Sequence, residues 1–361
     1  MLRENKQIGL AIVGSGRIGT LRARVAAGHP SVRFLAVSDL DPERAKALAG
    51  EVGAQVASAD NYEIISHPQV NAVIVSTSEH MHMEPVIQAL ELGKPVLVEK
   101  PIALDLEQAD RILATLAKTK GDLHVGYSRR FKTRYLRAKE QLMQGRLGKI
   151  VGGSARVYNT RAQAYQILQR NPEATPVLDA LTYYVDLMHW FLDGNRVTEV
   201  IARAQTGALL AEGHNIPDVT YAILACADGA VLNLGISYAL PAGYPSLGQS
   251  ERVELLGTGG VMLLDNDHTD QMMYSEQGFP HVYVPGHNAN MVFLGSSTPG
   301  DWALGEFWGP LPTETRVWLD HIATGKPCAL TTPDQARENF LVTLAIEESA
   351  RTGKPVNVAA R

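Results

Sequence analysis

The sequence predicts an α/β chain in two parts: a helix-covered parallel sheet at the N-terminus, then an α+β domain with a large, mainly antiparallel open sheet. Three observations carry this. Up to about residue 126, short Val/Ile-rich runs alternate with longer helical patterns. A glycine-rich turn, Gly14–Gly19, closes the first run. Beyond Gly126 the apolar runs lengthen and take a period of two, as strands with one solvated face do.

The first runs are Ile8–Val13, Phe34–Ser38, Ala72–Ser76, Val96–Val98 and Leu123–Gly126. None alternates with polar residues, so each reads as a strand buried on both faces. Helical patterns lie between them at Ile18–Ala27, Pro42–Ala49, Met83–Leu92 and Leu106–Lys118. Asp41-Pro42 is an N-cap followed by a first-turn proline, and Gly93 and Gly121 sit where helices end. The second part opens with a helical pattern, Arg134–Gln144. Strand patterns follow at Val151–Tyr158, Val197–Ala204, Val219–Ala225, Ala230–Tyr238, Arg252–Leu256 and Val261–Leu264. A strong helix, Val177–Leu192, interrupts them, and Glu314–Thr324 and Pro333–Arg351 close the chain. Asn266–Asp301, rich in Gly, Pro, His and Asn, reads as a long ordered loop.

Composition narrows the function. At 361 residues the chain exceeds one ordinary core, which fits two domains. The net charge of −5 argues against nucleic acid, whose phosphates call for a basic surplus. Two distant cysteines, Cys226 and Cys328, exclude a disulfide framework and have no metal-like spacing. His80 and His82 form a His-x-His pair without a completing cluster, so no metal is expected. No apolar run spans a membrane, and the cytoplasm is the default location.

Gly14-Ser15-Gly16-Arg17-Ile18-Gly19 fits G-x-G-x-x-G between a buried strand and a helix, the context that gives the motif meaning. Gly14 permits the turn, Gly16 lets backbone approach a pyrophosphate, and Gly19 allows close helix packing. The N–H groups of the turn, from Gly14 through Arg17 and Ile18, then face the phosphates. Asp39 ends the second strand, where a carboxylate takes the ribose hydroxyls of NAD and repels the 2′-phosphate of NADP. Arg44 nearby softens that repulsion, so NADP stays open. Residues 1–127 therefore read as a Rossmann dinucleotide-binding domain and 128–361 as a substrate-binding and oligomerisation domain.

Further residues resemble one family. Glu99-Lys100-Pro101 resembles the Glu-Lys-Pro motif of the glucose–fructose oxidoreductase / inositol dehydrogenase / MocA family. Gly126-Tyr127-Ser128-Arg129-Arg130-Phe131 is similar to its Gly-Tyr-x-x-Arg-Phe segment, Leu92–Val96 to its run before the fifth strand, and Ala350–Val356 to its closing pattern, slightly displaced. The resemblance implies that Lys100 points into the cleft near nicotinamide and substrate, and that Ser76, Thr77, His82 and Glu99 border the cofactor. It also implies a helix with Asp-x-x-x-His-x-x-Asp. Here Asp179 and Asp186 match, and Tyr183 replaces the histidine. Spacings of i, i+4 and i+7 put the three on one face, either lining a cleft or with Tyr183 as an amphipathic core residue.

The replacement alters the chemistry expected. Imidazole, with reference pKa near ~6.5, takes an alcohol proton at neutral pH, whereas a phenol, near ~10, is the better donor. The sequence thus reads as an NAD(H)-dependent oxidoreductase of a secondary alcohol or ketone. Tyr183 donates a proton to a carbonyl oxygen that Lys100 polarises, and Asp179 orients the donor or holds a substrate hydroxyl. The substrate class implied by resemblance is a sugar, cyclitol or related cyclic compound, and the assembly a homodimer or homotetramer. Alternatives are a cis-dihydrodiol dehydrogenase, an NAD-dependent glycoside-cleaving enzyme and a non-catalytic NAD-sensing regulator.

Overall fold

A computed structural model describes residues 6–172, 174–245, 249–265, 272–280, 286–293 and 300–358. The first part runs β1 (Ile8–Val13), α1 (Arg17–Ala27), β2 (Val32–Ser38), α2 (Pro42–Val52), β3 (Val56–Ser58), α3 (Asn61–Ser66), β4 (Ala72–Val75), α4 (Met83–Glu91), β5 (Val96–Glu99), α5 (Leu106–Thr119) and β6 (Leu123–Gly126). Its six strands pair in parallel in the order β3-β2-β1-β4-β5-β6. Every residue of β1 and β4 is buried, as the unbroken apolar runs require. Asp41 caps α2 by accepting the Glu43 and Arg44 N–H groups, with Pro42 in the first turn. The strand order reverses at β1, so the crevice beyond the carboxyl ends of β1 and β4 is the natural ligand position.

The second part holds α6 (Thr133–Met143), β7 (Ile150–Thr160), α7 (Arg161–Arg170), a π-helical turn at Val177–Leu181 that runs into α8 (Thr182–Phe191), β8 (Val197–Gln205), α9 (Ala208–Ala211), β9 (Val219–Cys226), β10 (Val231–Leu240), β11 (Gln249–Gly257) and β12 (Gly260–Asp265). With the short strand Val356–Asn357 these form one sheet, ordered β12-β11-β7-β10-β9-β8 and then 356–357. Only β7 and β10 pair in parallel; the other ladders are antiparallel. Leu224, Leu232, Leu234, Ile236, Val253 and Leu255 are buried on one face. The alternating positions Ile201, Tyr221, Ile223, Val231, Val261 and Leu263 are exposed.

Two helices follow, α10 (Pro310–Thr324) and α11 (Pro333–Thr352). By their contacts the first compact unit comprises the chain through Phe131 together with Trp302–Glu338, and the second Lys132–Asp301 and Asn339–Arg361. The helix expected at Glu314–Thr324 begins one turn earlier, at Pro310, and packs on α1. The long loop expected at 266–301 is not all loop: Met272–Pro280 and Asn288–Phe293 pair as an antiparallel hairpin. His281 lies outside the described residues. No described helix is long and apolar enough to cross a membrane.

Candidate active site

The three glycines of the first turn differ in what they avoid. Gly14 has φ +95°, and a Cβ there would lie 2.7 Å from the Ser76 carbonyl oxygen. A Cβ on Gly19 would fall 1.9 Å from the Gly14 carbonyl oxygen, so glycine lets α1 settle against the turn. Gly16 is the exception. A Cβ there meets nothing within 4 Å, and the backbone at φ −72°, ψ −171° suits any residue. Gly16 is the N-cap of α1, where no described side chain caps the helix and the first turn holds no acidic residue. That leaves unsatisfied N–H donors and the positive end of the helix dipole. Arg17 is exposed there and Ile18 half-buried.

Asp39 closes one side of this seat. Its Oδ2 accepts the Ser15 N–H at 2.9 Å and its Oδ1 the Asp41 N–H at 3.0 Å. Arg44 approaches at 3.4 Å. The carboxylate is thus fixed at the end of β2 with its charge partly offset.

The end of β4 closes the other side. The hydroxyls of Ser76 and Thr77 are buried and have no hydrogen-bond partner among the described residues. Buried hydroxyls are normally satisfied, so two orphans beside an uncapped helix start mark a place for a polar ligand. His82, expected beside the cofactor, is buried: Nδ1 contacts the Pro101 carbonyl at 2.8 Å and Nε2 the Thr77 carbonyl at 3.2 Å. Burial outweighs these partners and holds the imidazole below its ordinary range. It braces the β4 loop against Pro101, which follows Lys100 through a cis peptide bond. His80 is exposed.

Lys100 stands half-buried immediately after β5. Its neighbour Glu99, expected among the cofactor contacts, has its carboxylate in an ion pair with Arg22 of α1, Nε to Oε1 at 2.6 Å. Arg22 is wholly buried. It also donates to Glu314 at 2.6 Å and to Thr315 at 2.8 Å, both on α10. Two carboxylates drive its pKa upward despite its burial. Gly126 makes room for this group, since a Cβ there would lie 2.8 Å from Arg22 Nη2 and 3.2 Å from Glu99 Oε2. Nothing in the sequence pattern singled out Arg22.

The second unit holds the remaining expected residues. Asp179 lies in the π turn, a device common at functional sites, and accepts a hydrogen bond from the buried Tyr238 hydroxyl on β10. Tyr183 is the second residue of α8 and half-buried. Asp186 is buried and accepts from Asn339 Nδ2 at 2.7 Å, while Asn339 Oδ1 contacts His189 Nδ1 at 2.6 Å. The stripe of three therefore divides: Asp186 ties α8 to α11, and Asp179 ties the π turn to the sheet. Tyr184 faces another way, giving its hydroxyl to the buried Glu251. Of the arginines near the junction, Arg130 holds Gln335 at 3.2 Å, Arg156 holds Ser250 at 2.9 Å and Arg161 approaches Glu212 at 3.4 Å. Arg129 is buried.

Comparison with known proteins bears on this arrangement. Residues 8–127 match the family model described as the oxidoreductase family with NAD-binding Rossmann fold. Residues 135–263 match the GFO/IDH/MocA C-terminal domain. The chain is 30% identical over 259 residues to inositol 2-dehydrogenase 1 of Saccharopolyspora erythraea, covering 71% of this chain and 72% of that one. It is 24% identical over 355 residues to the scyllo-inositol 2-dehydrogenase (NAD(+)) of Bacillus subtilis, covering 98% and 96%. In fold it matches the Lactobacillus casei scyllo-inositol dehydrogenase structure with bound NAD(H) and scyllo-inositol, with TM-score 0.82, 20% identity, and coverage of 98% and 100%.

Proposed function

The chain belongs to the GFO/IDH/MocA family of oxidoreductases, and from that premise we propose that it is an NAD(H)-dependent dehydrogenase of the inositol dehydrogenase type. The reaction is hydride transfer between nicotinamide and a secondary alcohol or ketone of a cyclitol or related cyclic polyol. One observation carries the cofactor reading: the open side of Gly16 at an uncapped helix start, a cradle that one methyl group would fill. Gly14–Gly19 would hold the diphosphate, Asp39 the ribose hydroxyls, and Ser76 and Thr77 the polar atoms beside them. The fixed carboxylate of Asp39 favours NAD over NADP. The relatives' names supply the substrate class.

When bound, the nicotinamide accepts or gives the hydride. This chain's residues do the rest. The Lys100 ammonium hydrogen-bonds the reacting oxygen and stabilises negative charge on it. The Tyr183 hydroxyl gives a proton to that oxygen in reduction and recovers it in oxidation. Asp179, anchored by Tyr238, accepts from a substrate hydroxyl. Glu99 acts on Lys100's position through its pairing with Arg22.

The test is a fluorescence titration with NADH, followed by turnover of inositol isomers with NAD and with NADP at pH 7 and pH 10. Tyr183→Phe and Lys100→Met should each lower kcat by about 10²-fold or more with NADH affinity retained. Failure to bind NADH would end the proposal. Tight binding without turnover of any polyol or ketone would favour a non-catalytic sensor. The exposed apolar face of the second sheet supports assembly as a homodimer or homotetramer.

A further inference from the structure

A second constellation lies at the opposite end of the β6 strand, away from the nucleotide seat. His124 is the second residue of β6, His321 lies in the last turn of α10, and Cys328 follows in the segment after that helix. One ring nitrogen of each histidine and the Cys328 sulfur lie within 4.8 Å of one another. The Cys328 Sγ to His124 Nε2 distance is 3.5 Å. Two tetrahedral zinc ligands, a thiolate at about 2.3 Å and an imidazole at about 2.0 Å from the metal, stand about that far apart.

The surroundings match those of a metal-binding imidazole. His321 Nδ1 contacts the Lys326 carbonyl, which fixes the tautomer and leaves Nε2 as the ligand atom. Asp122 Oδ1 stands 3.1 Å from the buried His124 Nδ1, close enough that a small turn of the carboxylate would let it accept from the ring N–H, the partner that zinc-bound histidines commonly have. Asp122 Oδ2 stands 2.9 Å from His321 Nε2, a contact that a metal would replace. One thiolate and two imidazoles, with a carboxylate beside them, suit zinc rather than magnesium or calcium.

We propose that His124 Nε2, His321 Nε2 and Cys328 Sγ bind one zinc ion, with a water in the fourth position, clasping the end of α10 to the sheet. Binding displaces to solvent the thiol proton and any proton carried on the two ligating Nε2 atoms, and involves no redox change. The role is structural, apart from hydride transfer.

The test uses the full-length protein after chelator treatment. Zinc titrated against a chromogenic chelator should bind one per chain. Cobalt should give visible d–d bands together with a near-ultraviolet thiolate charge-transfer band. Cys328→Ser and His321→Asn should each weaken zinc affinity at least tenfold, Cys328→Ser should abolish the charge-transfer band, and Cys226→Ser should leave both unchanged. Zinc should also protect Cys328 of the parent protein from alkylation, a readout that needs no variant. Zinc affinity unaltered by Cys328→Ser, cobalt without a thiolate band, or alkylation of Cys328 at the same rate with and without zinc would overturn the assignment.

Discussion

Gly16→Ala separates binding from folding, because this position has no internal reason to be glycine. Its dihedral angles suit alanine, and such a replacement stabilises by about 0.4–1 kcal/mol through the unfolded chain. Alanine is the poorer N-cap residue by a similar amount. The two effects cancel to within about 0.5 kcal/mol, or about 1–2 °C in Tm. The methyl group would nonetheless stand where a diphosphate must approach the first-turn N–H groups. A loss of at least tenfold in NADH affinity, about 1.4 kcal/mol, is expected. Gly19→Ala is the counterpart. Its Cβ would lie 1.9 Å from a backbone oxygen, so the helix must shift, at about 1–3 kcal/mol and several degrees of Tm. NADH fluorescence titration and thermal unfolding of both variants give the answer. Parent-like NADH affinity in Gly16→Ala, or a Tm loss there equal to that of Gly19→Ala, would refute the reasoning.

Three further outcomes are expected. Arg22→Met leaves Glu99 and Glu314 facing each other unneutralised, and should cost about 3–5 kcal/mol in denaturant unfolding, far more than loss of an exposed pair such as Arg24–Glu51. Because the folded pKa of His82 is lowered, its contribution is present above the ordinary imidazole range and lost as the unfolded state takes up its proton on acidification. His82→Gln should therefore show a smaller fall in Tm between pH 7.5 and pH 5 than the parent; equal slopes would contradict this. Ile223→Lys combined with Leu263→Lys, both exposed on the second sheet, should convert the proposed dimer or tetramer to monomers by light scattering without changing monomer secondary structure; a parent that is already monomeric would refute the proposed assembly.

What the sequence made legible was local. β1, β2 and β4 announce themselves because a strand buried on both faces needs only its own run of Val, Ile and Ala. The glycine turn is readable because backbone approach demands glycine at fixed offsets. β3 escaped because Val56-Ala57-Ser58 is three residues long with one large apolar side chain. The π turn at Val177–Leu181 escaped because its residues also satisfy a helical period. The polar networks escaped for another reason. Arg22 sits in a helix that reads as ordinary, while its partners lie 77 and 292 residues away. Cys328 and His124 are separated by 204 residues. Periodicity carries no information about such pairs. The same limit applies to Tyr183, whose position is readable but whose duty rests on which atoms meet its hydroxyl.

The Glu99–Lys100 pair carries a last consequence. One residue answers to architecture, neutralising a cation interred between two helices and the sheet; the next carries the chemistry proposed above. Selection can relax on the second without touching the first. A descendant that surrendered its lysine would still assemble and still display most of the signature by which such chains are recognised. Counting that signature across genomes would therefore measure inheritance of a scaffold, and under the proposed mechanism only the ammonium group itself speaks for turnover.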